Sequence, residues 1–117
     1  MSNLQLINRG SVWLINLSSV GAGHEQQGKR PAVVLSADIF NNGPAGLLII
    51  APITTSDKGY PLHHPIQPPE GGLVAASYIM VDQLRTISKQ RLIHILGNVS
   101  SVTLEKVEGL VRILLDM

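Results

Sequence analysis

Cysteine is absent from this 117-residue chain, and aromatic residues make up only 3% of it. Without cysteine, disulfide bridges, thiolate zinc sites and a cysteine nucleophile are excluded. Proteins that bind single-stranded nucleic acid usually stack bases on several aromatic faces. A chain this poor in aromatic residues would have to rely on Tyr60, on its loops and on arginine or lysine contacts. Such binding would depend strongly on salt.

Charge of one sign is also scarce, because nine lysines and arginines nearly balance eight aspartates and glutamates, leaving a formal net charge of +1. So small an excess does not indicate a nucleic-acid binder, and any basic surface must be local. No apolar run approaches the roughly 20 residues that cross a bilayer. The first ten residues lack the basic-then-apolar layout of a signal peptide. We therefore expect a cytoplasmic protein without membrane contact.

Short apolar runs separated by turns occupy most of the chain. Pro31 cannot donate to a sheet and belongs at the first position of its strand. The most apolar run is expected to be the central strand, and the proline-rich residues 62–72 an irregular edge segment. Residues 37–46 are typical of a turn or a single helical turn. Strands are predicted at residues 11–17, 30–36, 47–53, 73–88 (one bent strand or two) and 91–100.

The C-terminal residues have a different, helical periodicity. Ser100 or Ser101 can cap the helix, and Glu105 lies in its first turn. Gly109 is unfavourable inside a helix by about 1 kcal/mol relative to alanine, and we expect it to allow close packing on the sheet. Five to seven short strands without helical crossovers favour one antiparallel, barrel-like domain. The apolar stripe consists of Leu104, Val107, Leu110, Val111, Leu114 and Leu115.

The loop GHEQQGKRP, residues 23–31, is unusually polar, because six of its nine side chains are polar or charged. Polar loop residues commonly only face water. Arg30, however, directly precedes a proline, which holds the preceding residue in an extended conformation. Its guanidinium therefore has a rigid base from which to bind phosphate. Glu25 and His24 lie five and six residues earlier, and these groups can form a metal-free acid–base site.

Hydroxyl groups follow the most apolar strand at Thr54, Thr55 and Ser56, and Lys58 comes shortly after them. Hydroxyls can donate to phosphate oxygens. With Arg30 they suit the cleavage of RNA by its own 2′-hydroxyl, a reaction that needs neither a protein nucleophile nor a metal. Donors aimed at the charge that develops on phosphorus usually supply the largest part of catalysis. DNA lacks the 2′-hydroxyl and would not be cut in this way.

Each of these candidates has a role in the reaction and a purely structural alternative. Arg30 would stabilise the anionic phosphorus and is a candidate for protonating the leaving group, or it could anchor a carbonyl. Arginine is a poor base because its pKa exceeds about 12, so Glu25 or His24 is better suited to accept the 2′ proton. Thr54 would hold a non-bridging oxygen, or it could cap its strand. His24 could simply be a solvated loop residue.

The loop GHEQQGKRP, the apolar strand after it, and the segments APITTS, KGYP and VDQLRTIS together resemble the MazF/PemK/Kid family of toxin endoribonucleases. The resemblance runs from RGSVWLINL to the C-terminal helix, so we expect a single toxin domain over residues 1–117. His24 and the doubled glutamine are most similar to the Kid/PemK and ChpB branches. The resemblance implies a mainly β fold, an SH3-like antiparallel barrel with short helices and a C-terminal α-helix, acting as a homodimer.

The resemblance also implies an activity and partners. The activity is metal- and cofactor-independent, sequence-specific cleavage of single-stranded RNA, mostly messenger RNA, which inhibits growth. The products would carry 2′,3′-cyclic phosphate and 5′-hydroxyl ends. A cognate antitoxin of the MazE/PemI kind would block the RNA site with an acidic, largely disordered tail, and the antitoxin complex would bind operator DNA.

Single residues carry over from the family by position. Arg30 matches the catalytic arginine and Thr54 the catalytic threonine, while Glu25 matches a glutamate implicated in some members. The remaining predicted contacts to RNA come from the polar loop, from the segment after Thr54 and from the DQLR segment. They are Gln26, Gln27, Lys29, Thr55, Ser56, Lys58, Tyr60, Asp82 and Arg85.

The Kid branch has a proposed catalytic triad, of which this chain retains only a part. His24 and Asp82 match two members, but Met80 stands where the third, an arginine, is expected. A thioether cannot neutralise a phosphorane, so the assignment to Arg30 and Thr54 is preferred. Asp82 has the structural alternatives of a bond to nearby Arg85 or of a place in a backbone turn.

Two other classes of function stay open at this level. The same barrel serves CcdB-like gyrase poisons, which act by contact rather than by catalysis, and fold alone does not separate the two. The missing arginine would also suit a decayed toxin that only binds antitoxin. His63 and His64 are adjacent but lack a third ligand, so no metal site is predicted.

Overall fold

The structure of the protein, a computed structural model, describes residues 5–17 and 28–117. The helices of this part are α1 (Asp38–Asn41) and α2 (Ser101–Leu115), with short 3-10 segments at Glu70–Gly72, Val81–Gln83 and Lys89–Arg91. The predicted series of strands followed by a C-terminal helix is confirmed. The strands are β1 (Ser11–Asn16), β2 (Lys29–Val34), β3 (Leu47–Thr54), β4 (His63–Ile66), β5 (Ser77–Met80), β6 (Arg85–Ser88) and β7 (Leu92–Asn98).

All seven strands join one antiparallel sheet in the order β4-β5-β3-β2-β1-β7, with β6 also pairing with β3. The prediction of a central strand at residues 47–53 is confirmed, because β3 pairs with three neighbours. The predicted edge position of the proline-rich segment is also confirmed. Its predicted irregularity is wrong for His63–Ile66, which form the regular strand β4. An edge strand tolerates Pro65 because its missing N–H can face solvent.

The buried side chains form two groups, one on each face of the sheet. Strand residues alternate between the two faces, which divides the core cleanly. The first core cluster comprises Ile7, Trp13, Ile15, Leu17, Ala32, Val34, Leu48, Ile50 and Ile87. The second core cluster comprises Val12, Val33, Ala51, Ile53, Ile66, Leu73, Ile79, Val81 and Val107. Helix α2 covers the second cluster with Val107, Leu110 and Val111.

The segment after β4 packs against β7, the other end strand, through backbone contacts at glycines. No hydrogen-bonded ladder joins β4 to β7 within residues 5–17 and 28–117. Instead, a Cβ atom added to Gly72, whose φ is +71°, would lie 1.9 Å from the Leu96 carbonyl oxygen. A Cβ on Gly97 would lie 2.7 Å from the carbonyl carbon of Gly71. Only glycines allow the segment after β4 to lie directly on β7, so the barrel is completed by packing there.

Helix α2 is capped by a serine as predicted, but the expectation that Glu105 lies in its first turn is wrong, because that turn holds no acidic residue. Ser100 is its N-cap, and its Oγ accepts a hydrogen bond from the Thr103 amide at 3.1 Å. The expectation that Gly109 allows close packing on the sheet is wrong, because Gly109 is exposed and a Cβ there would meet nothing within 4 Å. No helix in the described parts of the chain is long and apolar enough to span a membrane.

Glu70 fastens the segment after β4 to the start of α2. Its Oε2 accepts a hydrogen bond from the Ser100 amide at 2.9 Å. Burial disfavours the Glu70 carboxylate, but hydrogen bonds from Thr103 and Ser100 outweigh it and hold the pKa of Glu70 below its ordinary value of 4.5. A carboxylate whose pKa is lower in the folded chain stabilises the fold above its unfolded pKa, and that stabilisation is lost as pH falls through the folded pKa.

Replacing Glu70 with glutamine should therefore remove part of the acid sensitivity of the fold. We expect the free energy of unfolding of the variant to fall less than that of the wild type between about pH 7 and about pH 3. Urea titrations at both pH values measure this difference. Equal losses in the two proteins would contradict the role given to Glu70. Glu105→Gln, an exposed change on α2, the helix whose start Glu70 holds, is the matched control.

Candidate active site

The face of β3 that carries Thr54 follows from the alternation of its neighbours. Leu48 and Ile50 belong to the first core cluster, whereas Ala51 and Ile53 belong to the second. Successive side chains of a strand point to opposite faces. Thr54, the last residue of β3, therefore lies on the face of the first cluster, at the point where its apolar side chains end.

Arg30 lies on the same face of the neighbouring strand. In β2, Ala32 and Val34 belong to the first core cluster and Val33 to the second, so alternation places Arg30 with the first. The last recorded pair between β2 and β3 is Ala32 with Pro52. Extending this antiparallel register by two residues brings Arg30 opposite Thr54. The structure therefore places the two residues at one end of one face, on adjacent strands.

Burial and hydrogen bonding differ between these two residues. Thr54 is 6% exposed, whereas Arg30 is half-buried. The Thr54 Oγ1 accepts a hydrogen bond from the Ser56 amide at 3.1 Å. A hydroxyl has one donor as well as two acceptor sites, so this bond leaves the O–H of Thr54 able to donate. The arrangement therefore combines a buried hydroxyl donor, Thr54, with a guanidinium nearer to solvent, Arg30.

Tyr78 continues this row on the other side of Thr54, and sequence reasoning missed it. Tyr78 of β5 is the register partner of Thr54 and is half-buried. Burial raises the pKa of the Tyr78 hydroxyl, and so do the negative charge of Asp57 and a hydrogen bond to it. Asp57 in turn accepts from the Gly59 amide at 3.0 Å. The loop after Thr54 is thus tied back to the row. We call Arg30, Thr54 and Tyr78 the polar row.

The other predicted contact residues are spread around this row. Lys29 is exposed at the start of β2, where it pairs with Asn16. Arg85 is half-buried and begins β6 opposite Ile50, on the first-cluster face but four residues along β3 from Thr54. The segment after β3 is exposed throughout and contains Thr55, Ser56, Lys58 and Tyr60.

Four predicted residues, His24, Glu25, Gln26 and Gln27, lie outside the described residues, so their predicted roles rest on the sequence alone. Met80, which stands where the Kid branch has an arginine, is 1% exposed. Its side chain is part of the packed interior.

Asp82 has a partner that the sequence did not indicate. Its Oδ1 lies 2.8 Å from Nε2 of His63. Within the described residues, Asp82 therefore pairs with His63 rather than with Arg85, and the alternative of an Asp82–Arg85 bond is wrong. The His63 side chain is only 4% exposed, and its ring makes an edge-to-face contact with Tyr60 at a centroid distance of 5.0 Å. Spacing alone could not show this pair, because 19 residues separate its members.

Comparison with known proteins agrees with this architecture. Residues 8–115 match the family of PemK-like, MazF-like toxins of type II toxin–antitoxin systems. Endoribonuclease EndoA of Bacillus subtilis is 32% identical over 113 residues, which cover 96% of this chain and 97% of EndoA.

Solved structures are similar over the same extent. The crystal structure of MazF from Deinococcus radiodurans has a TM-score of 0.84 and 32% identity, covering 97% of this chain and 99% of that one. A MazE–MazF complex from the same organism has a TM-score of 0.78 and 31% identity, covering 97% of this chain and 98% of the other.

The fold is therefore that of the MazF toxins, an antiparallel seven-stranded sheet with a C-terminal helix. The chain belongs to the family of PemK-like, MazF-like toxins of type II toxin–antitoxin systems.

Proposed function

We propose that the protein is an endoribonuclease that cleaves single-stranded RNA, chiefly messenger RNA, at specific sequences. The 2′-hydroxyl of the substrate attacks the adjacent phosphorus, a P–O bond to the next nucleotide breaks, and the products carry 2′,3′-cyclic phosphate and 5′-hydroxyl ends. The protein supplies no nucleophile in this reaction. It has to orient the phosphate, stabilise its developing charge and move two protons.

The observation that carries this proposal is that Arg30 and Thr54 follow the first core cluster on the same face of adjacent strands, where extending the Ala32–Pro52 register by two residues sets them opposite each other. A guanidinium can form two parallel hydrogen bonds to phosphate oxygens. A hydroxyl on the adjacent strand can bind a third oxygen, because side chains opposite each other on paired strands lie about 5 Å apart. Thr54 is sheltered from water, and electrostatic stabilisation is stronger where water is excluded.

Proton transfer is assigned to the polar loop before β2. Arginine stays protonated at neutral pH, so it is unsuited to deprotonate the 2′-hydroxyl. We assign that step to Glu25 or His24, and the protonation of the leaving 5′ oxygen is a further candidate role for Arg30. Asp57 and Tyr78 hold the loop after Thr54 in place, beside the predicted RNA contacts Thr55, Ser56 and Lys58.

Binding partners follow the same proposal. MazF of Deinococcus radiodurans is known in complex with MazE, and we propose that this chain has an antitoxin of the same kind, whose acidic tail covers the polar row. We further propose that the protein acts as a homodimer in the cytoplasm and that its complex with the antitoxin binds operator DNA.

Incubation of the purified protein with long single-stranded RNA in EDTA tests the proposed activity. We expect discrete cuts with cyclic phosphate and 5′-hydroxyl ends, and no cuts in DNA of the same sequence, because the nucleophile is the 2′-hydroxyl. Intact RNA across varied sequences would contradict the proposal and favour a protein that acts by contact alone, as gyrase poisons and antitoxin-sequestering toxins do. A requirement for magnesium would contradict the mechanism.

A further inference from the structure

The His63–Asp82 pair has a feature that its own bond does not explain. Nε2 of His63 lies 2.8 Å from the Asp82 carboxylate, and an ionised carboxylate only accepts hydrogen bonds. When the ring is neutral, this contact assigns its proton to Nε2 and leaves Nδ1 as an acceptor. Among the described residues, this buried Nδ1 has no hydrogen-bond partner. A buried polar atom without a partner costs about 1–3 kcal/mol, and such atoms in a folded protein call for an explanation.

The pair lies on the face of the polar row. Pro65 of β4 is the register partner of Tyr78, and His63 is the partner of Met80, the next residue on that face. Tyr78 in turn pairs with Thr54. His63 thus shares its face with Thr54, two strands away and one alternate position further along.

Distance decides which role His63 can have. Two strand spacings amount to about 10 Å and one alternate position to about 7 Å, so about 12 Å separate the His63 and Thr54 backbones. Proton transfer needs heavy atoms about 2.6–3.2 Å apart. The His63 ring is held on Asp82, and this backbone separation suits contact with a neighbouring nucleotide of the same strand better than direct proton transfer at a phosphate held at Thr54.

We propose that His63 is an RNA-positioning residue, whose Nδ1 accepts a hydrogen bond from a nucleotide flanking the cleaved bond. Asp82 sets the tautomer and the orientation of the ring. The group on the RNA is a neutral donor, either a ribose 2′-hydroxyl or a base N–H. This inference rests on the proposed function, because it assumes that RNA lies along the polar row.

Tyr60 contacts the His63 ring from a solvent-exposed segment of the chain. Its ring stands edge-to-face against His63, yet Tyr60 is itself 53% exposed and belongs to a fully exposed segment, residues 55–61. We expect a nucleotide that stacks on Tyr60 to compete with this ring contact and so to let RNA approach the His63 ring. Stacking of one base on an aromatic ring contributes about 1–3 kcal/mol, which is comparable with the weak contact that is lost.

Two substitutions test the roles of the two ring nitrogens of His63 separately. The amide of His63→Gln can occupy the position of Nε2 and bond Asp82, but leaves nothing at Nδ1. The shorter amide of His63→Asn can occupy the position of Nδ1, but it does not reach far enough to bond Asp82. We expect His63→Gln to raise the KM for RNA about tenfold, the value of one lost hydrogen bond, with kcat nearly unchanged. His63→Asn should raise KM less. His94→Gln removes an exposed imidazole from β7 and should change neither constant.

Modified substrates then identify the donor on the RNA. Single 2′-deoxynucleotides are placed in turn at the flanking positions. If the donor is a ribose, one of them raises the KM of the wild type and has no further effect in His63→Gln, because both changes remove the same bond. If the donor is a base, the same coupling appears with a base analogue that lacks the N–H. Absence of coupling at every position would overturn the proposal.

Imidazole nitrogen NMR gives a readout that a structural role would not move. The Nδ1 signal of His63, assigned by its loss in His63→Gln, should shift when RNA bearing a 2′-deoxynucleotide at the cleaved position binds. An unshifted signal, or equal changes in KM and in thermal stability for both His63 variants, would make the pair structural. If the wild type binds RNA but cuts none, the proposed function fails, while binding and NMR still decide the role of His63.

Discussion

Replacing Arg30 with alanine should lower the rate of RNA cleavage by about 10²–10³-fold, the usual effect of removing a preorganised donor from a developing anion. The guanidinium acts on the phosphorus in the transition state, so kcat should fall more than KM rises. Single-turnover cleavage of a defined RNA measures the effect. Arg30→Lys restores the charge without the two-pronged geometry and should recover only a small part of the rate.

The control for Arg30 is the loss of an equal charge elsewhere. Arg112 is exposed in the last turn of α2, and this helix packs on the second core cluster, away from the polar row. Arg112→Ala should cleave RNA at the wild-type rate. Cleavage by Arg30→Ala at the wild-type rate would remove Arg30 from the site. A matching loss in Arg112→Ala would show that net charge, rather than position, is what matters.

Replacing Thr54 with valine should lower cleavage by about 10²-fold, because it removes one oxyanion donor while keeping the volume of the side chain. Thr54 is almost buried, and valine has the same branched shape, so packing should be preserved. The bond from the Ser56 amide is also lost, but Ser56 lies in an exposed segment where water can replace it.

Thr54→Ser distinguishes the contribution of the hydroxyl from that of the methyl group. It keeps the donor and should cleave within about tenfold of the wild type, since only packing changes. Rate constants at saturating RNA, together with thermal unfolding of both variants, provide the comparison. If valine and serine lowered the rate equally, the hydroxyl of Thr54 would have no part in the reaction.

The sequence predicted the elements better than it predicted their relative positions. The run at residues 47–53 and the helical stripe that ends the chain are long and periodic, and both appear as β3 and α2. Strand β4 was missed because prolines surround it, and an edge strand tolerates a proline that a central one does not. Gly109 was misjudged because periodicity does not show which helix face meets the sheet.

For the candidate site as well, the sequence indicated the residues but not their relative positions. Arg30 and Thr54 could be selected from residue chemistry, but β2 and β3 are buried on both faces, and such strands read as continuous apolar runs. The division of their neighbours between the two core clusters shows that the two residues share a face, and the register shows that they lie at the same end of it. The contacts of Tyr78 with Asp57 and of His63 with Asp82 join residues from different segments, and no local pattern encodes them.

The account depends on one phosphate lying between two adjacent strands. A crystal structure with the cleaved RNA sequence, blocked by a 2′-deoxynucleotide at the cut position, tests this directly. The account predicts that the scissile phosphate accepts hydrogen bonds from both the Arg30 guanidinium and the Thr54 hydroxyl. A phosphate that contacts neither side chain, or RNA bound on the face that α2 covers, would contradict it.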